Sequence, residues 1–330
     1  MALLRTMDAM NDRPHDDTSG LTPATEFGEP ALEFDFPGLE IGVAEYAEGP
    51  TGCTVFHFPQ GATGLADVRG GAPGTSLTHR EGWVHAICLA GGSVYGLEAC
   101  AGVSAELLAR RGYDTDWSNI AIVPGAVLFD FNRFRKNRAI YPDKQLGRAA
   151  IRSARPNRFP LGARGAGVCA TVGKWLREPY QLERGGQGAA FHRSGEARVA
   201  VFAVVNSVGC IVGRDGRAVR GHLDPATGRR HRVGEARGIA GDAGTDAPPP
   251  GNTTLTVVVV NQRMGLRELR QLARQVHGSM ARAIDPFHTM HDGDVLYAVT
   301  TNALDPGALA HEEASYVASE LAWDAVLRAF

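Results

Sequence analysis

The pattern of apolar and polar positions is clearest in residues 251–330. A nearly all-apolar run at 254–260 predicts a strand that is covered on both faces. Over 266–284, apolar residues recur every three or four positions and predict a helix with one buried stripe, formed by Leu266, Leu269, Leu272, Ala273, Val276, Met280 and Ile284. A strand at 295–300 and a helix at 312–327 follow. This alternation predicts an α/β protein in which helices cover a sheet.

Before residue 234 the predicted elements are shorter. A helix is predicted over 93–110, with Ser93 as its cap. The segment 214–217 has the composition of a hairpin turn, and the glycine-rich segment 69–74 predicts a loop whose backbone comes close to another part of the molecule. Strands are predicted at 39–44, 53–58, 199–205 and 209–212.

Composition and charge narrow the function classes. The chain has 330 residues, 44% hydrophobic and 21% charged, which is enough to bury a large core. Its formal net charge of −2 gives no electrostatic basis for binding nucleic acid or an anionic membrane. No stretch approaches the roughly 20 apolar residues that span a bilayer. The densest basic run, formed by Arg133, Arg135, Lys136 and Arg138, is interpreted as a solvated loop.

Two segments carry little apolar material. Residues 1–32 are predicted to be disordered or loosely packed, and they lack the apolar region of a signal peptide. Between Gly234 and Gly251 the chain consists largely of Gly, Ala, Asp and Pro, which predicts a mobile, exposed loop. The five cysteines are odd in number and show no CxxC spacing, so we expect buried free thiols and a cytoplasmic protein.

The junction between this loop and the apolar strand is Asn252-Thr253. A hydroxyl residue at this position suits a chain that cuts itself before Thr253. The cut would give one residue both a nucleophilic hydroxyl and an α-amino base, which titrates near pH ~8. The alternative is that Thr253 is only the first residue of a strand.

A second candidate is Asp292-Gly293-Asp294, which leads into the strand predicted at 295–300. Two carboxylates two residues apart project to the same face if the backbone is extended. If the two C-terminal strands pair, these acids approach Thr253; otherwise the segment is a turn that ends the preceding loop. His288 and His291 lie in that loop without further spaced ligands, so they do not predict a zinc site.

Several motifs occur together in one order and resemble a known family. The chain is similar to the self-processing N-terminal-nucleophile amidases, which include nylon-oligomer hydrolases, D-aminopeptidases and β-peptidyl aminopeptidases, and the nylon-oligomer hydrolases are the most similar. The resemblance covers about residue 33 to the end. The motifs that carry it include 34–38, 48–52, 91–97, 141–144, 166–174, 205–209, 252–254, 287–289, 292–294 and 322–327.

The resemblance implies a fold and a set of roles. The fold is a four-layer αββα sandwich over residues 33–330, cleaved into fragments 1–252 and 253–330. Thr253 is the nucleophile and its α-amino group the base, Asp292 and Asp294 position them, and Lys174 and Asn206 line the site. The Asn206 amide is suited to donate to the developing oxyanion. Without the resemblance, Asn206 is interpreted as a turn-forming or capped core amide and Lys174 as a surface lysine.

The chain departs from the nylon-oligomer hydrolases at Phe129, where they have a tyrosine. A phenyl ring cannot hydrogen-bond a nucleophile as a phenol can. The hydroxyl is dispensable here, or Tyr95 or water replaces it, or the enzyme is slower. Phe129 and Tyr95 are therefore candidate pocket residues.

The resemblance implies an amidase of linear oligoamides, 6-aminohexanoate oligomers included, that acts through an acyl-enzyme without metal or organic cofactor. It also implies a homo-oligomer, a tetramer of processed heterodimers. Three alternatives stay open at this point. The chain is an aminopeptidase that releases N-terminal β- or D-residues, an acyltransferase with the same nucleophile, or a binding protein that keeps the fold without catalysis.

Overall fold

The computed structural model describes residues 20–237 and 251–330. Over these two ranges no helix has the length and apolar character needed to cross a membrane. The strands are β1 Ala31–Glu33, β2 Glu40–Tyr46, β3 Thr51–Val68, β4 Gly74–Ser76, β5 Gly82–Ala90, β6 Gly125–Val127, β7 Arg155–Pro156, β8 Arg158–Pro160, β9 Thr171–Val172, β10 Glu183–Arg184, β11 Gly186–Ser194, β12 Ala197–Asn206, β13 Cys210–Val212, β14 Ala218–Arg220, β15 Thr253–Gln262, β16 Ile284–Asp285 and β17 Val295–Leu304. The α-helices are α1 Glu98–Arg110, α2 Lys144–Arg152, α3 Val233–Arg237, α4 Leu266–Ser279 and α5 His311–Leu327.

One long strand joins the two halves of the main sheet. The sheet has the strand order β11-β12-β15-β17-β3-β5-β6-β4, with β2 paired to β3 and β7. The first half of β3 pairs with β2 and β5, and its second half, 63–68, pairs with β17. The β3–β5 register shifts between His57 and Ala62, where the strand changes partners. A single sheet thereby supplies two packed layers.

Three separate hydrophobic cores define the layers. In β15, Val258 and Val260 face the core that α4 and α5 cover, whereas Leu255, Val257 and Val259 face a core shared with β2, β3 and β5. Successive strand residues point to opposite faces, so a strand that is apolar throughout must be covered on both sides. The third core lies between the far side of β3 and β5 and helices α1 and α2. The order helix, sheet, sheet, helix confirms the predicted αββα sandwich.

The C-terminal elements match the prediction except that β17 runs to Leu304, beyond the predicted 295–300, and that one helix differs at its ends. All ten residues of β15 are buried, as expected for a strand between two cores. Helix α4 ends at Ser279 and tightens into a 3₁₀ turn, Met280–Arg282, so the predicted helix to residue 284 is too long. Ile284 is instead extended because it pairs with Ile211 in the β13–β16 ladder. Leu266, predicted to be buried, is 37% exposed at the first turn of the helix.

The prediction that Ser93 caps a helix is wrong. The chain forms a 3₁₀ helix over Ser93–Leu97 before α1 begins, and Ser93 has a positive φ of 54° without a side-chain capping bond. Its backbone N–H donates to the Leu128 carbonyl at 2.9 Å. That contact ties the segment to the sheet and fixes the turn geometry in place of a cap.

The segment predicted to be loosely packed, 1–32, is described only from residue 20 onward. Ala24 and Glu45 exchange two backbone hydrogen bonds of 2.9 Å, and β1 pairs with β8. The described end of the segment is therefore attached to the domain. Most of the loop predicted between Gly234 and Gly251 also lies outside the described residues, which resume at 251.

The cysteines agree with the sequence interpretation. All five are free and buried. Burial raises the pKa of the Cys169 thiol to about 11 and that of the Cys210 thiol to about 12. Thiols with raised pKa values carry little thiolate and are poor nucleophiles, so these two have a packing role.

The basic run after Phe131 is only partly a solvated loop. Arg133, Lys136 and Arg138 are exposed, but the Arg135 side chain is fully buried and pairs with Asp130 at 3.2 Å. Its guanidinium also donates to the carbonyls of Pro50 and Ile140 at 2.7 and 2.8 Å. The sequence pattern did not reveal this, because one partner, Pro50, lies 85 residues away and the nearby partners meet Arg135 only in the folded loop.

Replacing Arg135 by Ala is expected to lower the free energy of unfolding by about 3–5 kcal/mol, because the buried Asp130 carboxylate loses its counter-charge. Urea denaturation followed by fluorescence measures the change. Arg138→Ala is the matched control, since Arg138 is exposed, and its effect should stay within about 0.5 kcal/mol. Equal stabilities for the two variants would contradict the buried role of Arg135.

Candidate active site

The first residue of β15 lies at the end of a strand that is paired on both sides within the main sheet. Thr253 begins β15, which runs antiparallel to β12 on one side and parallel to β17 on the other. Thr253 is in register with Asn206 of β12, and Asn252 forms an isolated parallel bridge with Asp292. The two C-terminal strands therefore pair, which is the condition on which the acids were expected to approach Thr253.

Two donors converge on the carbonyl that precedes Thr253. The Thr253 hydroxyl donates to the Asn252 carbonyl oxygen. The backbone N–H of Gly293 donates to the same oxygen at 2.6 Å. Thr253 is only 4% exposed, so both contacts are shielded from water. The arrangement places a side-chain hydroxyl and a backbone N–H on the carbonyl of one amide bond, and a backbone N–H in this position can stabilise negative charge on that oxygen.

Each acid is fixed by donors from the loop before it. Asp292 accepts from the Thr289 hydroxyl at 2.7 Å and from the Thr289 N–H at 3.0 Å. Its other oxygen faces the Val208 N–H at 3.4 Å. Asp294 accepts from the Thr254 N–H at 2.6 Å and from His288 Nδ1 at 2.9 Å. Both carboxylates are buried, so their orientation is set by these bonds rather than by solvent.

Two ionisable groups of the site, buried Asp292 and half-buried Lys174, have pKa values close to neutrality. Burial, and then the nearby negative charge of Asp294, raise the pKa of Asp292 to about 6. Burial lowers the pKa of Lys174 to about 7, although the charge of Asp292 opposes that shift. Perturbed pKa values of this kind cluster at functional sites, because burial and charge partners are what such sites use to tune protonation.

The Asn206 side chain has a defined orientation. Its Oδ1 accepts from the Thr171 N–H at 2.9 Å and from Lys174 Nζ at 3.0 Å. Nδ2 therefore points the other way and donates to the carbonyls of Phe129 and Gly251 at 3.0 and 3.3 Å. The Gly251 carbonyl that accepts from Asn206 Nδ2 comes one residue before the Asn252 carbonyl, which accepts from the Gly293 N–H. Asn206 Nδ2 is thus a hydrogen-bond donor beside the Asn252–Thr253 bond.

The two candidate pocket residues differ in position. Phe129 lies against the strand start, and a Cβ built on Gly251 would come within 2.4 Å of its ring. Gly251 also has a φ of +92°, which favours glycine. Tyr95 is 63% exposed and its ring packs against Tyr141 at 5.9 Å. Phe129 therefore borders the site directly, whereas these contacts give Tyr95 no place beside Thr253.

The glycine-rich loop 69–74 makes the predicted close approach. A Cβ on Gly70 would lie 2.3 Å from the Asp292 carbonyl oxygen and the Asp294 nitrogen. The Ala72 N–H donates to the Asp292 carbonyl at 2.9 Å. The loop thus supports the backbone of the acidic segment from behind, and only glycine fits at its closest point.

The sequence interpretation missed three residues of this site. Gly293 acts through its backbone, which no side-chain pattern reveals, although a glycine between two acids indicates close approach of another group. Thr289 and His288 hold the two acids, and their presence beside Phe287 in a shared motif was the available signal. His288 was considered only as a metal ligand.

Asp292→Asn is expected to change stability more favourably at pH 8 than at pH 4. A carboxyl with a raised pKa stabilises the folded chain below its unfolded value of 3.8, and this contribution is lost as the pH rises through about 6. At pH 8 the native chain carries a buried charge that the amide removes. Melting temperatures at pH 4 and pH 8 measure the change. The melting temperature of the variant relative to that of the wild type should be higher at pH 8 than at pH 4. A variant that is destabilised more at pH 8 than at pH 4 would contradict the raised pKa.

Comparisons with known proteins agree with the family resemblance found in the sequence. A model described as Peptidase family S58 matches residues 34–330. The chain is 46% identical over 329 residues to a 6-aminohexanoate-oligomer endohydrolase from Agromyces sp. (strain KY5R), covering 96% of this chain and 90% of that protein. It is 47% identical over 322 residues to a protein of the same description from Kocuria sp. (strain KY2), covering 94% and 88%.

One solved structure supports the fold. The L-aminopeptidase D-Ala-esterase/amidase from Ochrobactrum anthropi, described as a variant of the Ntn hydrolase fold, superposes with a TM-score of 0.65. The match covers 96% of this chain and 90% of that chain at 16% sequence identity. The N-terminal-nucleophile type predicted for the sandwich is thereby confirmed.

Proposed function

Because this chain belongs to peptidase family S58, we propose that it cuts itself between Asn252 and Thr253 and hydrolyses amides with Thr253 as the new N-terminal nucleophile. That it is an amidohydrolase follows from the family and from relatives that act as 6-aminohexanoate-oligomer endohydrolases. The convergence of the Thr253 hydroxyl and the Gly293 N–H on the Asn252 carbonyl carries the proposal.

Self-cleavage begins when Thr253 Oγ attacks the Asn252 carbonyl carbon. The oxyanion forms against the Gly293 N–H, which already contacts that oxygen at 2.6 Å. The C–N bond then breaks, the nitrogen takes the proton that the hydroxyl has lost and becomes the α-amino group of Thr253, and an ester links the Asn252 carbonyl carbon to Thr253 Oγ. Water hydrolyses the ester and gives fragments 1–252 and 253–330 of the same sandwich.

In turnover the free α-amino group of Thr253 takes the hydroxyl proton as Oγ attacks a substrate amide. The proton passes to the leaving amine, and the acyl group stays on Oγ until water hydrolyses the ester. Asn206 Nδ2, released from the Gly251 carbonyl, donates to the substrate oxyanion. Asp294 holds the strand beside the nucleophile through the Thr254 N–H, and Asp292 and Lys174 supply charge next to the new amine.

The proposed substrates are linear oligoamides, including 6-aminohexanoate oligomers, because the relatives described above act on them. The chief alternative is an aminopeptidase that needs a free amino end. The test uses a linear aminohexanoate oligomer with a free and with an acetylated amino end. We expect both to be cut, and cutting of the free form alone would favour an aminopeptidase.

Acyl transfer is separated from hydrolysis by adding hydroxylamine to the same reaction. A hydrolase releases mainly the carboxylic acid at low acceptor concentration, whereas an acyltransferase releases mainly the hydroxamate. Mass spectrometry of the denatured enzyme during turnover should show one acyl unit on fragment 253–330. Acyl groups on fragment 1–252 alone would rule out Thr253 as the nucleophile.

The five free thiols support a cytoplasmic location, and assembly into a tetramer of processed heterodimers is part of the proposal. Multi-angle light scattering of the purified protein tests the assembly.

A further inference from the structure

The backbone and the ring of His288 both contact one oxygen of Asp294. Its ring Nδ1 lies 2.9 Å from Asp294 Oδ2, and its backbone N–H donates to the same oxygen at 3.2 Å. The other oxygen of Asp294 takes the Thr254 N–H at 2.6 Å. Each oxygen of the carboxylate therefore has its own hydrogen-bond partner: His288 holds Oδ2 and Thr254 holds Oδ1.

The backbone of His288 is in an uncommon conformation. Its φ of +59° lies in the left-handed region, which a residue with a Cβ seldom adopts and which costs conformational energy. Glycine and asparagine tolerate this region best. In this conformation the His288 backbone N–H and ring Nδ1 both lie within hydrogen-bond distance of Asp294 Oδ2.

Within the part of the chain that the structure describes, the His288 ring forms its hydrogen bond through Nδ1. It stacks on Phe287 at 3.8 Å between ring centroids and meets the edge of His277 at 4.4 Å. His277 is itself paired with Asp67 at 2.9 Å. Among the described residues, Nε2 of His288 is buried without a hydrogen-bond partner. Since an ionised carboxylate only accepts, the network assigns the proton to Nδ1.

We propose that His288 is a positioning residue that orients Asp294, which in turn holds the backbone beside the nucleophile Thr253. The proposal rests on the proposed function. It goes beyond the predicted site because His288 contacts neither the nucleophile nor the scissile carbonyl and acts through Asp294. Thr289 holds Asp292 in the same way, so adjacent residues of one loop fix the two acids.

Three substitutions separate the ring from the backbone. His288→Asn keeps a side-chain N–H near the Nδ1 position and tolerates the left-handed backbone, so self-cleavage and kcat should stay within about 3-fold of wild type. His288→Gly relieves the backbone and removes the donor, and both rates should fall by roughly 10–100-fold with KM changed by less than about 3-fold. His288→Ala removes the donor and keeps the strain, so it should also lose stability.

Combining His288→Gly with Asp294→Asn tests the route of the effect. If His288 acts through Asp294, the double variant should be no slower than Asp294→Asn alone. Wild-type kcat and cleavage in His288→Gly, or a His288→Asn variant as slow as His288→Gly, would overturn the proposal. So would additive losses in the double variant. Thr253→Ala in parallel tests the nucleophile separately, so the failure of one claim is distinguishable from failure of the other.

Discussion

Thr253→Ala is expected to remain a single chain of 35.1 kDa and to lose amide hydrolysis by roughly 10⁴–10⁶-fold. The substitution removes the hydroxyl that contacts the Asn252 carbonyl, so self-cleavage stops as well. No other group takes its place, because the proposed base is the amine of the same residue and is never released. A denaturing gel and a rate assay on an aminohexanoate oligomer measure the two losses.

Thr253→Ser and Thr256→Val are the matched controls. Serine keeps the hydroxyl, so cleavage and hydrolysis should persist at a lower rate. Thr256 lies on the same strand and is also buried, but within residues 20–237 and 251–330 its hydroxyl donates to the Met280 sulfur at 3.5 Å and not to a carbonyl, so its variant should be cut and active. Undiminished hydrolysis by Thr253→Ala would exclude Thr253 as the nucleophile.

Gly293→Ala is the second substitution with a large expected effect. A Cβ at this position would lie 2.7 Å from Thr253 Oγ and 3.0 Å from the Ala72 carbonyl oxygen. The loop must shift to relieve the contact, and the Gly293 N–H then leaves the Asn252 carbonyl. Loss or displacement of one oxyanion donor costs about 10²–10³-fold in rate. We therefore expect self-cleavage to slow by at least ~10²-fold, measured as the time course of fragment formation.

The control for this substitution is Gly234→Ala, since a Cβ on Gly234 meets nothing within 4 Å. It should be cut at the wild-type rate. Circular dichroism of uncut Gly293→Ala should match that of uncut Thr253→Ala, which shows that the domain still folds. Rapid cleavage of a folded Gly293→Ala chain would mean that the backbone N–H of residue 293 is not the oxyanion donor.

The elements and the two acids could be predicted because their signals lie within short stretches of sequence. An apolar run such as 254–260 specifies a doubly covered strand through side-chain period alone. Once the strands at 254–260 and 295–300 were paired, Asp292 and Asp294 had to lie near Thr253. The motifs shared with a known family added Lys174 and Asn206, whose side chains look unremarkable alone.

The remaining features depend on contacts that form only in the folded chain, whether the partners are near or far in sequence. The sequence pattern predicts a solvated Arg135. In the fold it is buried, and its guanidinium donates hydrogen bonds to the carbonyls of Pro50 and Ile140. The role of Gly293 belongs to a backbone N–H, which every residue but proline carries. The sequence pattern assigned His288 no role beyond its place in a shared motif, and only the fold shows that its ring contacts Asp294. Such roles follow from register and loop packing, which local patterns do not encode.

The central claim is that the active chain begins its small fragment at Thr253. Intact-mass and N-terminal sequence analysis of the purified wild-type protein tests it most directly. The account predicts fragments of about 27 and about 8 kDa, in proportion to 252 and 78 of 330 residues in a 35.1 kDa chain, the smaller starting Thr-Thr-Leu-Thr. Full amide hydrolysis by a preparation whose chain is uncut after Asn252 would contradict it.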